Sequence, residues 1–283
     1  MTKYKGIYKG DDLSNADYHV EQEHLSSSNI KDLIAEKSKF GEKLWGIEKF
    51  YQEKILGNRK TLQKDVFDEG SLVHGLILEP HLVDEEFVQF PGMRKAGAAW
   101  TAFVTAEQSG KNRTILSKPQ WMRCVNLVKG YNANSTAVDI VKSCDKELSL
   151  FNTIEDVPLK VRADLINIDE GYIGDIKTTS YDTDVDSFKF TMKDFGYATS
   201  AALYLKLFEE HFGKPFYFMF VVLGKKDRSC EIYRLSAESR AVGDREIFKA
   251  MKLYKKCKKS GIWKIEKPNI LKKEYKDYEI LEV

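Results

Sequence analysis

Apolar residues recur at helical spacing toward both ends of the chain. Three serines, 26–28, precede apolar residues that lie three and four positions apart, which predicts the start of a helix. Apolar and glycine positions repeat at this spacing over residues 64–79 and stop at Pro80, which a helix rarely passes. The same spacing predicts two further helices, at about 185–212 and 236–259.

The middle of the chain changes to short segments rich in β-branched residues with partial alternation, and such segments favour strands. The predicted strands are 147–151, 159–168, 172–178, 216–223 and 230–235. Residues 84–117 lack a clear period, and we expect a long loop or short helices there. This order of elements predicts an α/β domain with a central mixed sheet flanked by helices.

No internal repeat, low-complexity tract or linker divides the 283 residues, which predicts a single folded unit. Within it we expect an N-terminal helical extension (1–60), a core (61–260) and a basic C-terminal tail (261–283). The four cysteines are scattered, and the longest apolar run is eight residues. These features favour a soluble protein of a reducing compartment such as the cytoplasm, away from membranes.

Opposite charges collect in two parts of the chain. Residues 138–186 contain twelve acids and five bases, whereas residues 251–276 contain ten lysines and two acids. Such segregation is typical of a protein that binds metal with the first segment and a polyanion with the second. Two solvated faces of opposite charge would give the same composition, so both interpretations stay open.

Asp164, Asp175 and Lys177 are the strongest candidates for chemistry. Asp175 and Lys177 lie two apart on one predicted strand, so both side chains leave the same face. A turn at Asp169 and Glu170 would place Asp164 directly opposite Asp175, close enough for both carboxylates to hold one divalent ion. A register slip of one residue would instead send Asp164 to the other face.

Two carboxylates this close are costly unless a cation lies between them. A lysine on the same face can position a water molecule, and help to deprotonate it, for attack on a phosphodiester. The alternative is an exposed hairpin whose charged side chains only solvate one face. His74, between Gly70 and Gly75 on a predicted helix, is a further candidate ligand, although a single histidine is often structural. Glu79 and Glu147 are weaker candidates of the same kind.

Several motifs together resemble a known family. They are Tyr18-His19 with His24-Leu-Ser-Ser-Ser, Gly70-x-x-x-His74 with Leu78-Glu79-Pro80, and Arg162-x-Asp164 with Asp175-Ile-Lys177-Thr-Thr. In this combination the chain is similar, from about residue 18 to 260, to the phage and prophage exodeoxyribonuclease VIII (RecE-like) nucleases of the PDDEXK superfamily. The resemblance implies a restriction-endonuclease-like core with a mixed sheet.

The resemblance also implies an activity and its site. The expected enzyme is a metal-dependent exonuclease that resects double-stranded DNA from 5′ to 3′ and leaves a single strand for a RecT-like annealing protein in phage recombination. His74, Asp164 and Asp175 would bind Mg²⁺, with Mn²⁺ as a substitute, and Lys177 would orient the attacking water. Related nucleases often have another acid where Glu147 stands. DNA ends would be the substrate, the enzyme a homo-oligomer, and the host cytoplasm its location.

The chain departs from the family at one position. The family usually has Tyr-x-x-Gln-x-x-x-Tyr after its Asp-x-Lys motif, and here Tyr197 and Tyr204 match while Ser200 replaces the glutamine. Serine is too short for the same contacts, so a catalytically weak or inactive protein that binds DNA or a partner is the alternative. The two tyrosines could equally be core residues.

The lysine-rich segment suits contacts with the DNA backbone. We expect Lys255, Lys256, Lys258 and Lys259 to bind phosphates, with aromatic residues interleaved. A solvated helix face followed by a tail is the other interpretation of the same lysines.

Overall fold

The computed structural model describes residues 3–10, 12–36, 44–58, 65–111 and 113–264. The strands are β1 (Gly6–Tyr8), β2 (Phe87–Phe90), β3 (Thr114–Ser117), β4 (Asp145–Ile154), β5 (Val157–Asn167), β6 (Tyr172–Thr179), β7 (Tyr217–Gly224) and β8 (Cys230–Arg234). The helices are α1 (Asn15–Val20), α2 (Ser27–Ile34), α3 (Gly46–Phe50), α4 (Asp65–Leu78), α5 (Val83–Glu86), α6 (Gly97–Ser109), α7 (Lys118–Ala133), α8 (Ser135–Lys142), α9 (Val185–Phe195), α10 (Tyr197–Phe212) and α11 (Ala237–Ser260).

The described residues form a six-stranded sheet in the order β1-β4-β5-β6-β7-β8. Neighbouring strands are antiparallel except β6 and β7, which are parallel and joined by α9 and α10. A parallel pair needs such a crossover because its second strand must start at the same edge as the first. The α/β fold with a mixed central sheet is therefore confirmed.

Helices cover both faces of the sheet. On one face α2, α3, α10 and α11 pack in a core cluster that includes Phe208 and Phe220. On the other face α4, α7 and α8 pack in a second cluster that includes Leu72 and Leu165. The strands between them are buried on both sides, which explains their nearly continuous apolar runs.

The N-terminal segment, expected to be a helical extension, contains α1, α2 and α3 and also the edge strand β1, which pairs with β4. Leu25 forms an isolated parallel bridge with Leu159 of β5. Its N–H donates to the Pro158 carbonyl over 2.8 Å, and its carbonyl accepts the Lys160 N–H over 2.9 Å. The segment therefore packs directly on the sheet next to the predicted site.

Some predicted elements differ from the structure. The helix expected at 185–212 is two helices, because Gly196 adopts a left-handed conformation with φ of 63° between them. For residues 84–117 we expected a long loop or short helices: the helices α5 and α6 are present, but the region is not a long loop, because β2 and β3 form a parallel two-stranded sheet with α6 as its crossover. Residues 265–283 of the expected basic tail lie outside the described residues. In the described part of the chain, no helix has the length and apolarity needed to span a membrane.

Candidate active site

The predicted site lies where β5 and β6 separate. Their ladder runs from Asn167–Tyr172 to Leu165–Gly174, which is the predicted register, so the one-residue slip is excluded. The hairpin loop is longer than a two-residue turn: residues 168–171 form it, and the Gly171 N–H donates to the Asn167 carbonyl over 3.0 Å. One step beyond the last pair, this register sets Asp164 opposite Asp175.

Side chains fill the gap that opens between the strands at Asp164. The Asp164 carboxylate accepts the backbone N–H of Ile176 over 2.9 Å, in place of a ladder bond. Its Oδ2 also lies 3.4 Å from Nδ1 of His74, which α4 brings to the sheet. The Tyr204 hydroxyl donates to the Arg162 carbonyl over 2.9 Å. The strands are therefore held apart by these side chains at the predicted metal site.

Glu147 extends the row of carboxylates to a third strand. The pairs Lys146–Leu165 and Leu148–Ala163 on either side of it place Glu147 opposite Asp164. Its backbone has φ of 53°, a left-handed conformation that is costly for a residue with a side chain. Three acids thus lie side by side across β4, β5 and β6.

The alternation of β5 changes phase at the same position. Val161 and Ala163 pack in one core cluster together with Ile166, whereas Leu165 packs in the cluster on the opposite face. Residues two apart in a regular strand share a face, so the strand is irregular at Asp164. The irregularity of β5 and the strained backbone of Glu147 coincide at the predicted site.

The crowded carboxylates hold their protons more tightly than usual. Burial, together with the neighbouring Asp164, raises the pKa of Glu147 to about 7, despite a 2.6 Å hydrogen bond from Nε of Arg162. Burial raises the pKa of Asp175 to about 6, with a further increase from Asp164 and an opposing effect of Lys177. The negative charge of this group is therefore only partly balanced by the protein's own cations.

Lys177 forms an ion pair with Asp175, and its Nζ lies 5.2 Å from the centre of the Tyr197 ring. Burial alone lowers its pKa, but Asp175 and Asp164 outweigh burial and raise the pKa above the ordinary lysine value. The ammonium group is therefore charged at neutral pH and can orient a water molecule or an anion. It has no free electron pair with which to deprotonate water in this state.

A cavity of about 440 Å³ opens beside the carboxylates. Its lining at this end consists of His74, Glu79, Glu86, Glu147, Arg162 and Asp164, and α1 and α2 supply the opposite wall. Asp175 and Lys177 lie next to this cavity rather than in its lining. Burial and Glu79 raise the pKa of Glu86 above its usual range, so Glu86 and Glu79 extend the acidic group.

Arg162 and Glu86 were not among the residues predicted from the sequence. The Arg162 side chain donates to Glu147, to the Leu13 carbonyl over 2.9 Å and to Oγ of Ser149 over 3.2 Å. Arg162 belongs to the Arg-x-Asp motif, and this motif could have identified it as a site residue from the sequence. Glu86 follows no pattern in the sequence, because only the packing of α5 against α4 brings it to the cavity.

The three positions of the tyrosine motif are placed differently. Tyr197 lies against Lys177, and Tyr204 lines the cavity and bonds to β5. The Ser200 hydroxyl turns back to its own helix, where it donates to the Gly196 carbonyl over 3.4 Å. Among the described residues, the Ser200 hydroxyl therefore donates to its own helix and not to an acidic side chain.

The four predicted DNA-binding lysines lie on the exposed side of α11. Tyr254 and Cys257 lie on its other side and are buried. Lys255 forms a 2.9 Å ion pair with Glu155 at the hairpin between β4 and β5. Lys258 lies 5.7 Å from the centre of the Tyr254 ring. This surface is at the end of β5 remote from Asp164.

A family model describes most of this chain. Residues 26–270 match the model of a PDDEXK-like domain of unknown function, DUF3799. The chain belongs to the DUF3799 family. The PDDEXK-like fold that the sequence motifs implied is therefore confirmed.

Solved structures resemble this DUF3799 domain at low sequence identity. One is a protein of Eubacterium rectale, described provisionally as an exonuclease, with 15% identity, a TM-score of 0.64 and coverage of 92% of both chains. Another is a phage-related exonuclease of Haemophilus somnus 129PT, with 12% identity, a TM-score of 0.36, and coverage of 86% of this chain and 99% of the other. The first similarity indicates a shared fold, and the second is too low to do so. A comparison with curated proteins gives no match.

The donor set of this DUF3799 domain suits a divalent cation such as Mg²⁺ in its chemistry. Two carboxylates and an imidazole are available, and oxygen ligands are those that Mg²⁺ and Mn²⁺ prefer. Burial, with a smaller contribution from Asp164, raises the pKa values of Glu147 and Asp175. Among the described residues, however, no three His, Cys, Asp or Glu side chains already converge as a metal site. Asp175 is instead paired with Lys177.

Proposed function

We propose that this protein is a metal-dependent deoxyribonuclease that hydrolyses phosphodiester bonds of DNA. The observation that carries the proposal is the separation of β5 and β6 at Asp164, where a row of carboxylates meets a charged lysine. Two structural ion pairs, Arg162 with Glu147 and Lys177 with Asp175, do not account for the third carboxylate, Asp164, beside them. A site that binds a hard cation and then a phosphate does account for it.

The chain's own residues have distinct parts in this proposal. A divalent cation held by His74, Asp164 and Asp175 would supply a reactive water molecule and stabilise the charge of the phosphoryl group. The Lys177 ammonium orients that water or holds a phosphate oxygen. Tyr204 positions Asp164 indirectly through the Arg162 carbonyl, and Arg162 fixes Glu147 beside it.

The finer assignment is a 5′→3′ exonuclease on double-stranded DNA. It is supported by the motifs shared with RecE-like nucleases and by the fold shared with a protein provisionally described as an exonuclease. In that role the protein would work at DNA ends, as a homo-oligomer in the host cytoplasm, and pass a single strand to an annealing protein.

The test is digestion of linear double-stranded DNA with Mg²⁺. Asp175→Asn keeps the shape of the side chain but removes its charge, and we expect it to lower the rate at least about a hundredfold. Asp169→Asn, an exposed acid at the turn of the same hairpin, is the matched control and should keep the wild-type rate. Labels at the 5′ or 3′ ends, and circular DNA, identify the polarity and the need for an end. Wild-type activity in Asp175→Asn would contradict the assignment.

A second candidate is a catalytically weak DNA- or partner-binding protein. The Ser200 hydroxyl that bonds within its own helix, and the pairing of Asp175 with Lys177, favour it. Such a protein would shift DNA on a gel but release no nucleotides with Mg²⁺ or Mn²⁺. Release of nucleotides by the wild type would exclude this candidate.

A further inference from the structure

The edge of β6 beyond the separation from β5 is unpaired on one side. The carbonyl groups of Gly171 and Thr179 accept N–H groups from the β7 side, from Tyr217 and Lys225. Successive backbone groups in a strand alternate in direction, so the even-numbered residues of β6 face the open side. The bond from the Ile176 N–H to Asp164 agrees with this direction.

Thr178 presents an unused donor on this open edge. The ladder with β5 ends at the pair Leu165–Gly174, so the N–H of Thr178, which faces that side, has no ladder acceptor there. Among the residues that the structure describes, no turn, loop or side-chain acceptor is found for it, whereas the preceding N–H on the edge is taken by Asp164. The residue is half-buried. Backbone N–H groups that are partly shielded from water nearly always have a partner, so this group is suited to a ligand.

Gly70 of α4 keeps the space next to Thr178 open. A Cβ atom built on Gly70 would lie 4.0 Å from Oγ1 of Thr178, so any longer side chain would extend into this space. Glycine in a helix interior costs about 1 kcal/mol relative to alanine. Helix stability therefore does not explain why residue 70 is a glycine. Gly70, Ser71 and His74 of the same helix line the cavity beside the carboxylates.

The chemistry of this edge favours a single acceptor oxygen. A peptide strand added to β6 would need several donors and acceptors in succession, but Asp164 already occupies the Ile176 N–H. The Thr178 N–H and hydroxyl are two hydrogen-bond donors within one residue. Thr178 lies three residues, about 10 Å of strand, from Asp175, which is a short distance along a nucleic-acid backbone.

We propose that Thr178, across the gap left by Gly70, binds a non-bridging oxygen of a phosphodiester that neighbours the one being hydrolysed. The substrate backbone then runs along the open edge of β6, between β6 and α4. This inference rests on the proposed nuclease function and names a substrate contact of the same site. Backbone N–H groups are common phosphate donors in protein–DNA complexes.

The experiment measures DNA binding and cleavage separately in three variants. Gly70→Val fills the gap, Gly70→Ala adds only a Cβ at ordinary contact distance, and Thr178→Val removes the hydroxyl while keeping the shape and the N–H. Binding of a fluorescein-labelled linear duplex is followed by anisotropy with Ca²⁺ in place of Mg²⁺ and at several salt concentrations. Circular dichroism and thermal unfolding show whether each variant is folded.

We expect Gly70→Val to weaken binding about ten- to a hundredfold, because it displaces an anion from its donors. Gly70→Ala, whose Cβ takes up part of the gap, and Thr178→Val, which keeps the N–H, should each weaken binding by a smaller factor. The salt dependence should keep the wild-type slope, because an N–H contact releases no counterion. A general loss of structure would instead alter unfolding in the same variants.

Two outcomes overturn the inference in different ways. If wild-type protein cleaves DNA and depends on Asp175, while folded Gly70→Val and Thr178→Val bind DNA as tightly as wild type, the phosphate contact is wrong and the nuclease function stands. If the wild type neither binds nor cleaves DNA, the proposed function fails and the phosphate contact fails with it. Should Gly70→Val not fold, Gly70→Ala takes its place, and binding as tight as wild type by both Gly70→Ala and Thr178→Val rejects the contact.

Discussion

Each of the three neighbouring carboxylates is compensated by a different kind of group. Glu147 accepts from Arg162, Asp164 from the Ile176 backbone, and Asp175 from Lys177. These partners do not offset burial, which together with Asp164 keeps the pKa values of Glu147 and Asp175 raised. The site is therefore poised to exchange protons for a cation.

The raised pKa of Glu147 predicts a loss of stability as the pH increases. The folded state holds this proton up to a pKa of about 7 and the unfolded state only to about 4.5, so the folded protein binds more protons between these values. The free energy of unfolding should fall as the pH rises through this window. Glu147→Gln should remove part of the fall and be more stable than wild type at pH 8 by roughly 1–3 kcal/mol.

Urea unfolding at pH 4 and pH 8 measures this difference. Glu210→Gln, at an exposed position of α10, is the matched control and should change neither value. Equal stability of wild type and Glu147→Gln at both pH values would contradict the burial of this charge.

The sequence was sufficient to predict the pairing of Asp164 with the region of Asp175, because a hairpin register follows from alternation and a short turn. It was insufficient for Arg162, because its bond to Leu13, 149 residues away in the sequence, forms only in the folded protein. The change of phase at Asp164 was also not predictable. A prediction from the strand pattern assumes regular alternation of side chains, and β5 lacks this alternation at Asp164.

At the scale of elements, β5 carries buried cations on the face toward the N-terminal segment. Nζ of Lys160 donates to the carbonyls of Tyr18 and Glu21 and lies 3.0 Å from the Glu21 carboxylate. Arg162, two residues further, bonds to Leu13. These bonds fix the segment that forms one wall of the cavity.

Glu21 predicts that this docking weakens in acid. Burial opposes ionisation of Glu21, but hydrogen bonds from His24 and Lys160 outweigh it and lower its pKa to about 2. The stabilisation is therefore present above the unfolded-state pKa of about 4.5 and is lost as the pH falls toward 2. Because solvent screens part of this interaction, Glu21→Gln should cost roughly 1–3 kcal/mol at pH 7 and almost nothing near pH 2.

The measurement is urea unfolding of wild type and variant at pH 7 and pH 3. Glu23→Gln, an exposed neighbour in the same segment, is the control and should behave as wild type does. A constant difference between wild type and Glu21→Gln across this range would show that the ion pair is not the cause.

Elements with a clear hydrophobic period were predictable, and those without one were not. The strands β4 to β8 and helix α11 lie within a few residues of their predicted bounds, because they pack on the central sheet. The region of β2, α6 and β3 was missed because α6 has no buried residue, so its sequence carries no core-facing stripe.

For the whole molecule, the carboxylates and the lysines lie at different ends of the sheet. Lys255 contacts the hairpin that precedes β5. From Val157, next to that hairpin, β5 runs about 23 Å to Asp164 at roughly 3.3 Å per residue. A DNA duplex would need about seven base pairs to reach from the lysines to the carboxylates.

The lysines should therefore affect binding of long DNA but not the chemical step. Replacement of Lys255, Lys256, Lys258 and Lys259 by alanine should reduce the salt slope of binding by up to about 3.6 for DNA of about 30 base pairs. For about six base pairs it should have little effect, and kcat should be unchanged for both. Lys129→Ala, an exposed lysine on α7, is the control. Equal losses on both lengths would contradict this separation.

The weak packing of helix α6 should make this segment accessible to proteases. None of its residues is buried, and the ring centres of Trp100 and Phe103 lie 5.2 and 5.3 Å from that of Phe90. Isolated helices of this length are marginal in water, so the segment should open more often than the rest of the protein. Chymotrypsin, which cuts after aromatic residues, should nick the chain here first, and a reporter peptide inserted here should leave the arrangement of Glu147, Asp164 and Asp175 intact.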